Sequence, residues 1–190
     1  MAGALARREI VVPDRSALAN GFRGYKPEGE LVVRKVEVVE DETLRQLKKA
    51  FSEYLTLDSP KHHTTNYFYE NAVSRIKKLR YSADDVERFS LALGEFQNEK
   101  EFPKKAGIFL SVLINMGKDY SYVIHTAHLS ERPKYIGYMN TKAITVKGDV
   151  GWDFALYMKG GEIHLEGSYE RIAVMYHGKI YVNGVLIADY

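Results

Sequence analysis

Cysteine is absent from this 190-residue chain, and with it go disulfides, thiolate nucleophiles and cysteine-ligated zinc. Glutamine is scarce too. It occurs only as Gln46 and Gln97 beside plentiful Lys, Arg and Glu, a composition that leans towards a thermophilic source. No window approaches the roughly 18 apolar residues of a membrane-spanning helix, and the opening residues MAGALARREIVV hold no apolar run of signal-peptide length. Together these absences set the expectation of a cytoplasmic protein with no membrane contact. Charge of one sign is missing as well: the formal net charge is +2, too small a bias to argue for nucleic acid. No G-x-x-x-x-G-K-[ST] loop occurs and no G-x-G-x-x-G follows a strand, so nucleotide binding has no motif behind it. We expect neither cofactor nor metal.

What is present divides in two. Glu9–Val12 suits a short strand stopped by Pro13, Arg15–Glu30 reads as loop, and Leu31–Val39 is a β-branched run expected to be a strand. Helical spacing follows. Leu44, Leu47, Phe51, Tyr54 and Leu55 form one apolar stripe with Asp41 as N-cap, ending before Pro60. Phe68, Ala72, Val73, Ile76 and Leu79 form a second. Val86, Phe89 and Leu93 form a third, with Ser82 and Asp85 in capping-box spacing and Gly94 as C-cap. Three helices are therefore expected over 41–94. Glu95–Lys105, charged and broken by Pro103, is expected to be a linker; Ile108–Ile114 and Tyr120–Thr126 are expected to be strands. The domain reading is a mostly helical region over 1–105 and a repeat region over 106–190.

The most specific signal is a repeat. Ile144-Thr145-Val146-Lys147-Gly148 returns as Ile163-His164-Leu165-Glu166-Gly167 and again as Ile180-Tyr181-Val182-Asn183-Gly184, at separations of 19 and 17 residues. The pairs Tyr138-Met139, Tyr157-Met158 and Met175-Tyr176 precede the three copies. Alternation sends residues i and i+2 to one face, so the aliphatic pairs of successive copies can stack in one inner column while His164 points out. A single rung cannot bury its own face, and stacked neighbours can. A β-meander is the alternative arrangement. Gly148, Gly151, Gly160, Gly161, Gly167, Gly178 and Gly184 are the turn glycines of the coiled arrangement.

Over Ala143–Gly167, and more thinly over 122–185, the chain resembles the GXGXG β-helix domain that closes the large subunit of glutamate synthase and also occurs in formylmethanofuran dehydrogenase. The shared pieces are Val146-Lys147-Gly148-Asp149-Val150-Gly151, Met158-Lys159-Gly160-Gly161-Glu162-Ile163 and Gly167. The resemblance implies a right-handed β-helix and an architectural role, without an active site. The expected fold is α+β: a helical N-terminal half packed on or capping a short right-handed parallel β-helix.

Three functions compete. The first is a non-catalytic structural or interaction module that associates with itself or with another protein through the β-helix; the apolar tail Tyr181, Val185, Leu186, Ile187 and Tyr190 favours it. The second is an anion or nucleic-acid binder. It would use the basic helix end Arg75, Lys77, Lys78 and Arg80, with Tyr67, Tyr69 and Tyr81 for stacking and His62 and His63 in the loop before it. The bland account of those cations is a helix C-terminus satisfied by positive charge. The third is a small enzyme using His62 or His63 as acid or base. His125 and His128 have H-x-x-H spacing, but in an extended chain that spacing sends the rings to opposite faces, so no metal is assigned to them.

Overall fold

A computed structural model describes residues 41–58 and 64–190. The strands expected at Glu9–Val12 and Leu31–Val39, and the loop between them, lie outside the described residues. The helical stripes fold as their spacing requires. Helix α1 (Glu42–Leu55) buries Leu44, Leu47, Phe51, Tyr54 and Leu55, and the Asp41 carboxylate accepts from Leu44 N at 2.9 Å. Helix α2 (Thr65–Ile76) buries Phe68, Ala72 and Ile76 of its expected stripe; Val73 is only half-buried, and Leu79 lies beyond the helix end. Helix α3 (Ala83–Ala92) opens with the full capping box between Ser82 and Asp85. Its end departs from expectation: the chain continues through a 3₁₀ turn, Leu93–Phe96, with Gly94 inside it and no left-handed cap.

A fourth helix, α4 (Phe102–Met116), takes the last four residues of the expected linker and the whole of the expected strand at Ile108–Ile114. The reason is burial on every side. Residues 105–114 are all buried, and a helix wrapped in protein has no polar face to give it a 3.6-residue period. Pro103, a breaker in the sequence reading, sits in the first turn, where its missing N–H costs nothing. The boundary placed after residue 105 therefore falls within a helix, and Glu40–Tyr190 form one compact unit.

Beyond α4 the chain coils. Strands β1 (Ser121–His125), β2 (Ala143–Lys147), β3 (Lys159–Glu166) and β4 (His177–Val182) form neighbouring parallel pairs. They are joined on the far side by stacked corners, where Ala155 N donates to Ile136 O at 2.8 Å and Tyr157 N to Val174 O at 2.7 Å. The result is a β-solenoid of about three turns, so the fold is α+β with helices N-terminal to a parallel-dominated solenoid. Its register is the one the repeat dictates: Tyr122, Ile144, Ile163 and Ile180 lie in one column and Ile124, Val146, Leu165 and Val182 in the next. Ile163 is wholly buried, whereas the exposed His164 ring stacks on Tyr181 at 4.5 Å. A third column passes from the core to the surface: the buried Tyr138 and the exposed Tyr157 and Tyr176, each 19 residues on from the last, form a ladder that begins on Tyr69 of α2.

The last strand breaks the coil. Asn183 and Gly184, both with positive φ, make a two-residue turn, and β5 (Val185–Asp189) returns antiparallel to β4. Of the turn glycines, Gly148, Gly161, Gly178 and Gly184 take positive φ, while Gly151, Gly160 and Gly167 do not. Gly161 also has a crowded position, because a Cβ there would lie 2.2 Å from Lys142 O; at Gly160 a Cβ would meet nothing within 4 Å.

Two stability tests follow from this packing. Ile163→Ala should cost about 2–5 kcal/mol by chemical denaturation. His164→Ala should cost about 0.5–1 kcal/mol, the worth of one exposed ring contact. Equal losses would contradict the inward–outward assignment. Gly161→Ala should be strongly destabilising and Gly160→Ala close to neutral, so a reversed order would show that the corner is built differently.

Candidate functional site

The basic end of α2 does not form a platform. Arg75 folds back on its own helix: Nη1 donates to Asn71 O at 2.9 Å, and the guanidinium sits 5.9 Å from the centre of the Tyr54 ring. Lys77 is the C-cap residue, and Lys77, Lys78 and Arg80 are exposed. Tyr67 is half-buried with its ring edge-on to Phe68 at 5.5 Å. The other two tyrosines expected to stack on bases are committed to α4. Tyr81 Oη donates to Leu113 O at 3.0 Å, and Tyr69 Oη accepts from Asn115 Nδ2 at 3.1 Å. Burial pushes both phenols above their usual range. His62 and His63 lie outside the described residues. The cap of α2 is Thr64, without a side-chain hydrogen bond.

The two H-x-x-H histidines meet the helices together. The strand ends at His125, so alternation does not carry on to His128. His125 Nε2 contacts Glu87 Oε1 at 2.8 Å, and His125 N donates to Ser90 Oγ at 2.9 Å. His128 hydrogen-bonds the Leu91 backbone, and its buried Nε2 has no partner among the described residues. Burial, and then the neighbouring His125, hold its pKa below the ordinary 6.5. This cluster fastens α3 to β1. No group of three His, Asp or Glu side chains able to hold a metal occurs among the described residues.

A cleft of about 370 Å³ lies beside the N-terminus of α4, lined by Glu99, Glu101, Lys104, Glu131, Lys134 and Tyr135 together with Pro103. Its carboxylates and ammonium groups are interspersed, and its lining holds no Ser, Thr, Cys or His to act as nucleophile or neutral-pH base. Lys104 Nζ lies 3.9 Å from the centre of the Phe68 ring. The adjacent Lys105, buried in α4, donates from Nζ to Leu55 O and Leu57 O at 2.7 and 2.8 Å. It thereby satisfies carbonyls at the end of α1. These lysines hold helices together.

The two ends of the solenoid differ among the described residues. At the first end α4 lies against the opening coil. Ser111 Oγ accepts from Gly137 N and Tyr138 N at 3.0 and 3.2 Å, and Asn115 Nδ2 donates to Tyr138 O at 2.9 Å. There α3 covers the edge of β1, with Ser90 Oγ taking the His125 N–H. At the last end β5 is an edge strand that no described residue covers. Val185 is 63% exposed, Leu186 46%, Ile187 38% and the following Tyr190 70%. Val174 and Tyr176, on the last coil, add to this exposed apolar surface. The apolar tail is legible in sequence, but the serines that close the other end are not, since a serine in an apolar run carries no sign of what it will bond.

No helix of the described residues is long and apolar enough to cross a membrane. No family model matches the chain, and no curated protein or solved structure matches it.

The His128 environment generates a pH test. The folded imidazole resists protonation, whereas the unfolded one titrates near 6.5. The unfolded state therefore binds more protons below that value, and stability should fall as pH drops through it. Denaturation midpoints measured on both sides of 6.5 should show this slope in the wild type and a smaller one in His128→Phe. An identical slope in the two proteins would remove His128 as its source.

Proposed function

We propose that this chain is a non-catalytic structural and interaction module, whose helices close one end of a short β-solenoid and whose other end docks a protein. The observation that carries this is the contrast between the ends: β1 is covered by α3, while β5 presents Val185, Leu186 and Ile187 on a sheet edge that no described residue pairs. An exposed edge strand offers main-chain donors and acceptors in a row, and proteins ordinarily blunt such edges with charge or cover them. Here the one carboxylate of the strand, Asp189, lies 3.9 Å from Lys179 of the neighbouring strand. Adding a partner strand to such an edge is a common mode of protein recognition. The resemblance of residues 143–167 to the GXGXG β-helix domain points the same way, because that domain arranges its neighbours rather than performing chemistry. Neither the basic end of α2 nor the cleft beside α4 assembles groups that favour a different reading.

The double variant Leu186→Lys/Ile187→Lys places two cations on the edge without touching the inner columns. It should keep the wild-type circular dichroism and lose association, whether with itself or with a captured partner, in size-exclusion chromatography with light scattering. Association unchanged in the folded variant would move the docking surface elsewhere.

A further inference from the structure

We propose that the Asn183-Gly184 turn is a site of spontaneous covalent modification. The Asn183 side-chain amide is lost through a cyclic imide, and the isoaspartate that forms unlatches β5 from β4. This goes beyond the docking reading and does not depend on it.

The pair has the chemistry for the step. The backbone nitrogen after an asparagine can reach the side-chain carbonyl carbon, and glycine has no Cβ to hinder the approach. The Gly184 nitrogen gives up its proton to solvent and bonds to Asn183 Cγ. The Cγ–Nδ2 bond breaks, and the amide nitrogen takes up a proton and leaves as ammonia. Water then adds to either carbonyl of the imide. Opening on the backbone side leaves isoaspartate, and opening on the side-chain side leaves aspartate. Nothing is oxidised or reduced, and water is the co-reactant. Of the described asparagines, Asn183 alone precedes glycine.

The structure leaves the reacting groups open. Asn183 and Gly184 are exposed, and a Cβ at Gly184 would meet nothing within 4 Å. The Gly184 N–H donates to no backbone carbonyl of the described residues. The side-chain amide is held by its bond from Nδ2 to Gly167 O at 3.1 Å.

The same structure gates the step. The φ values of 50° at Asn183 and 83° at Gly184 match the central residues of a type I′ turn, about 60° and 90°. Such a turn carries the following nitrogen away from Cβ, whereas the imide ring needs both on one side of the Cα–C bond. Ring closure therefore waits for the hairpin to open. β5 is built to open: it is an edge strand, and its ladder to β4 is broken by a register shift between Ile180 and Tyr181. Val185, Leu186 and Ile187 remain exposed, so little buried apolar surface holds the strand down.

The product cannot close again. Isoaspartate routes the chain through Cγ and lengthens the two-residue turn by one backbone atom, so the Val182–Val185 pair loses its register. An ionised carboxylate accepts but does not donate, so the bond to Gly167 O is lost as well. Leu165 pairs with Val182, which places the next residues, Glu166 and Asn183, side by side. The new charge stands beside a carboxylate, and like charges on neighbouring strands repel.

The test holds the full chain folded in mildly alkaline buffer beside a urea-unfolded sample and the Asn183→Gly variant. Gly-Gly suits the same turn, so this variant keeps the hairpin without the amide. Peptide mapping by mass spectrometry finds the amide-to-acid mass gain, and labelling with an isoaspartyl methyltransferase identifies the isomer. Mapping also separates site 183 from Asn20-Gly21, which lies outside the described residues. The expected result is isoaspartate at 183 in the folded chain, formed more slowly than in the unfolded one and lost in Asn183→Gly. Chymotrypsin should then cut after Leu186 sooner in converted chains than in unconverted ones. A folded chain that stays unconverted at 183 while the unfolded sample converts overturns the site. Conversion as fast in the folded chain as in the unfolded overturns the gate, and equal cutting by chymotrypsin overturns the release of β5.

Discussion

The C-terminal half depends on aliphatic side chains resting on their own repeats. Ile144, Ile163 and Ile180 occupy one column, and Val146, Leu165 and Val182 the next. Each side chain shielded from water contributes roughly 1.5–3 kcal/mol, but a rung gains this only from a rung on either side. Everything else about the solenoid follows from that need. The corners must be tight enough to keep successive strands in register. Met139, Ala155 and Tyr157 accept left-handed backbone there, and the stacked coils take up their N–H groups in turn. The two terminal rungs must find a neighbour that is not a rung.

At the first end the neighbour is helical. Helix α4 is buried on every side over residues 105–114 because it serves two cores, the aromatic cluster of Phe51, Phe89 and Phe109 on one side and the opening coil on the other. The polar groups that cross this junction are few: Ser111 and Asn115 Nδ2 bond the corner backbone and Ser90 and Glu87 bond His125, while Asn115 Oδ1 and His128 Nε2 are buried without a partner among the described residues. The helices are thus the device that lets a three-turn solenoid exist with one end dry. Among the described residues the last end has the β4–β5 hairpin, which adds a strand without adding a lid, and no described residue covers Val185, Leu186 and Ile187.

The parts legible in sequence are those with a period. Aliphatic alternation specifies the inner columns and their register, the three- and four-residue spacing specifies α1 to α3, and the capping box at Ser82 marks a helix start to the residue. The parts that are not legible lack a period or depend on distant partners. Residues 105–114 are buried on all sides, so their apolar run resembles a strand. Lys105 resembles solvent-facing charge in a linker, because only the fold brings the end of α1 to its ammonium group. Gly94 has the character of a stop, yet the chain tightens into a 3₁₀ turn and runs on. The Asn183-Gly184 pair, set between apolar runs, is a strong short hairpin signal, and the expectation of uniform coiling hides it. For the candidate site, the apolar tail is visible as composition. Its exposure, and the contrast with a covered opposite edge, need the coordinates.

Hydrogen–deuterium exchange at several protein concentrations tests the contrast between the covered and the exposed edge most directly. The amides of β1 should be protected at every concentration, because α3 and the neighbouring strand cover them. Those of β5 should exchange quickly in dilute solution and slow as concentration rises or a docking partner is added. Exchange in β5 that is indifferent to both, or amides of β1 as quick as those of β5, would contradict the closed-end, open-end architecture.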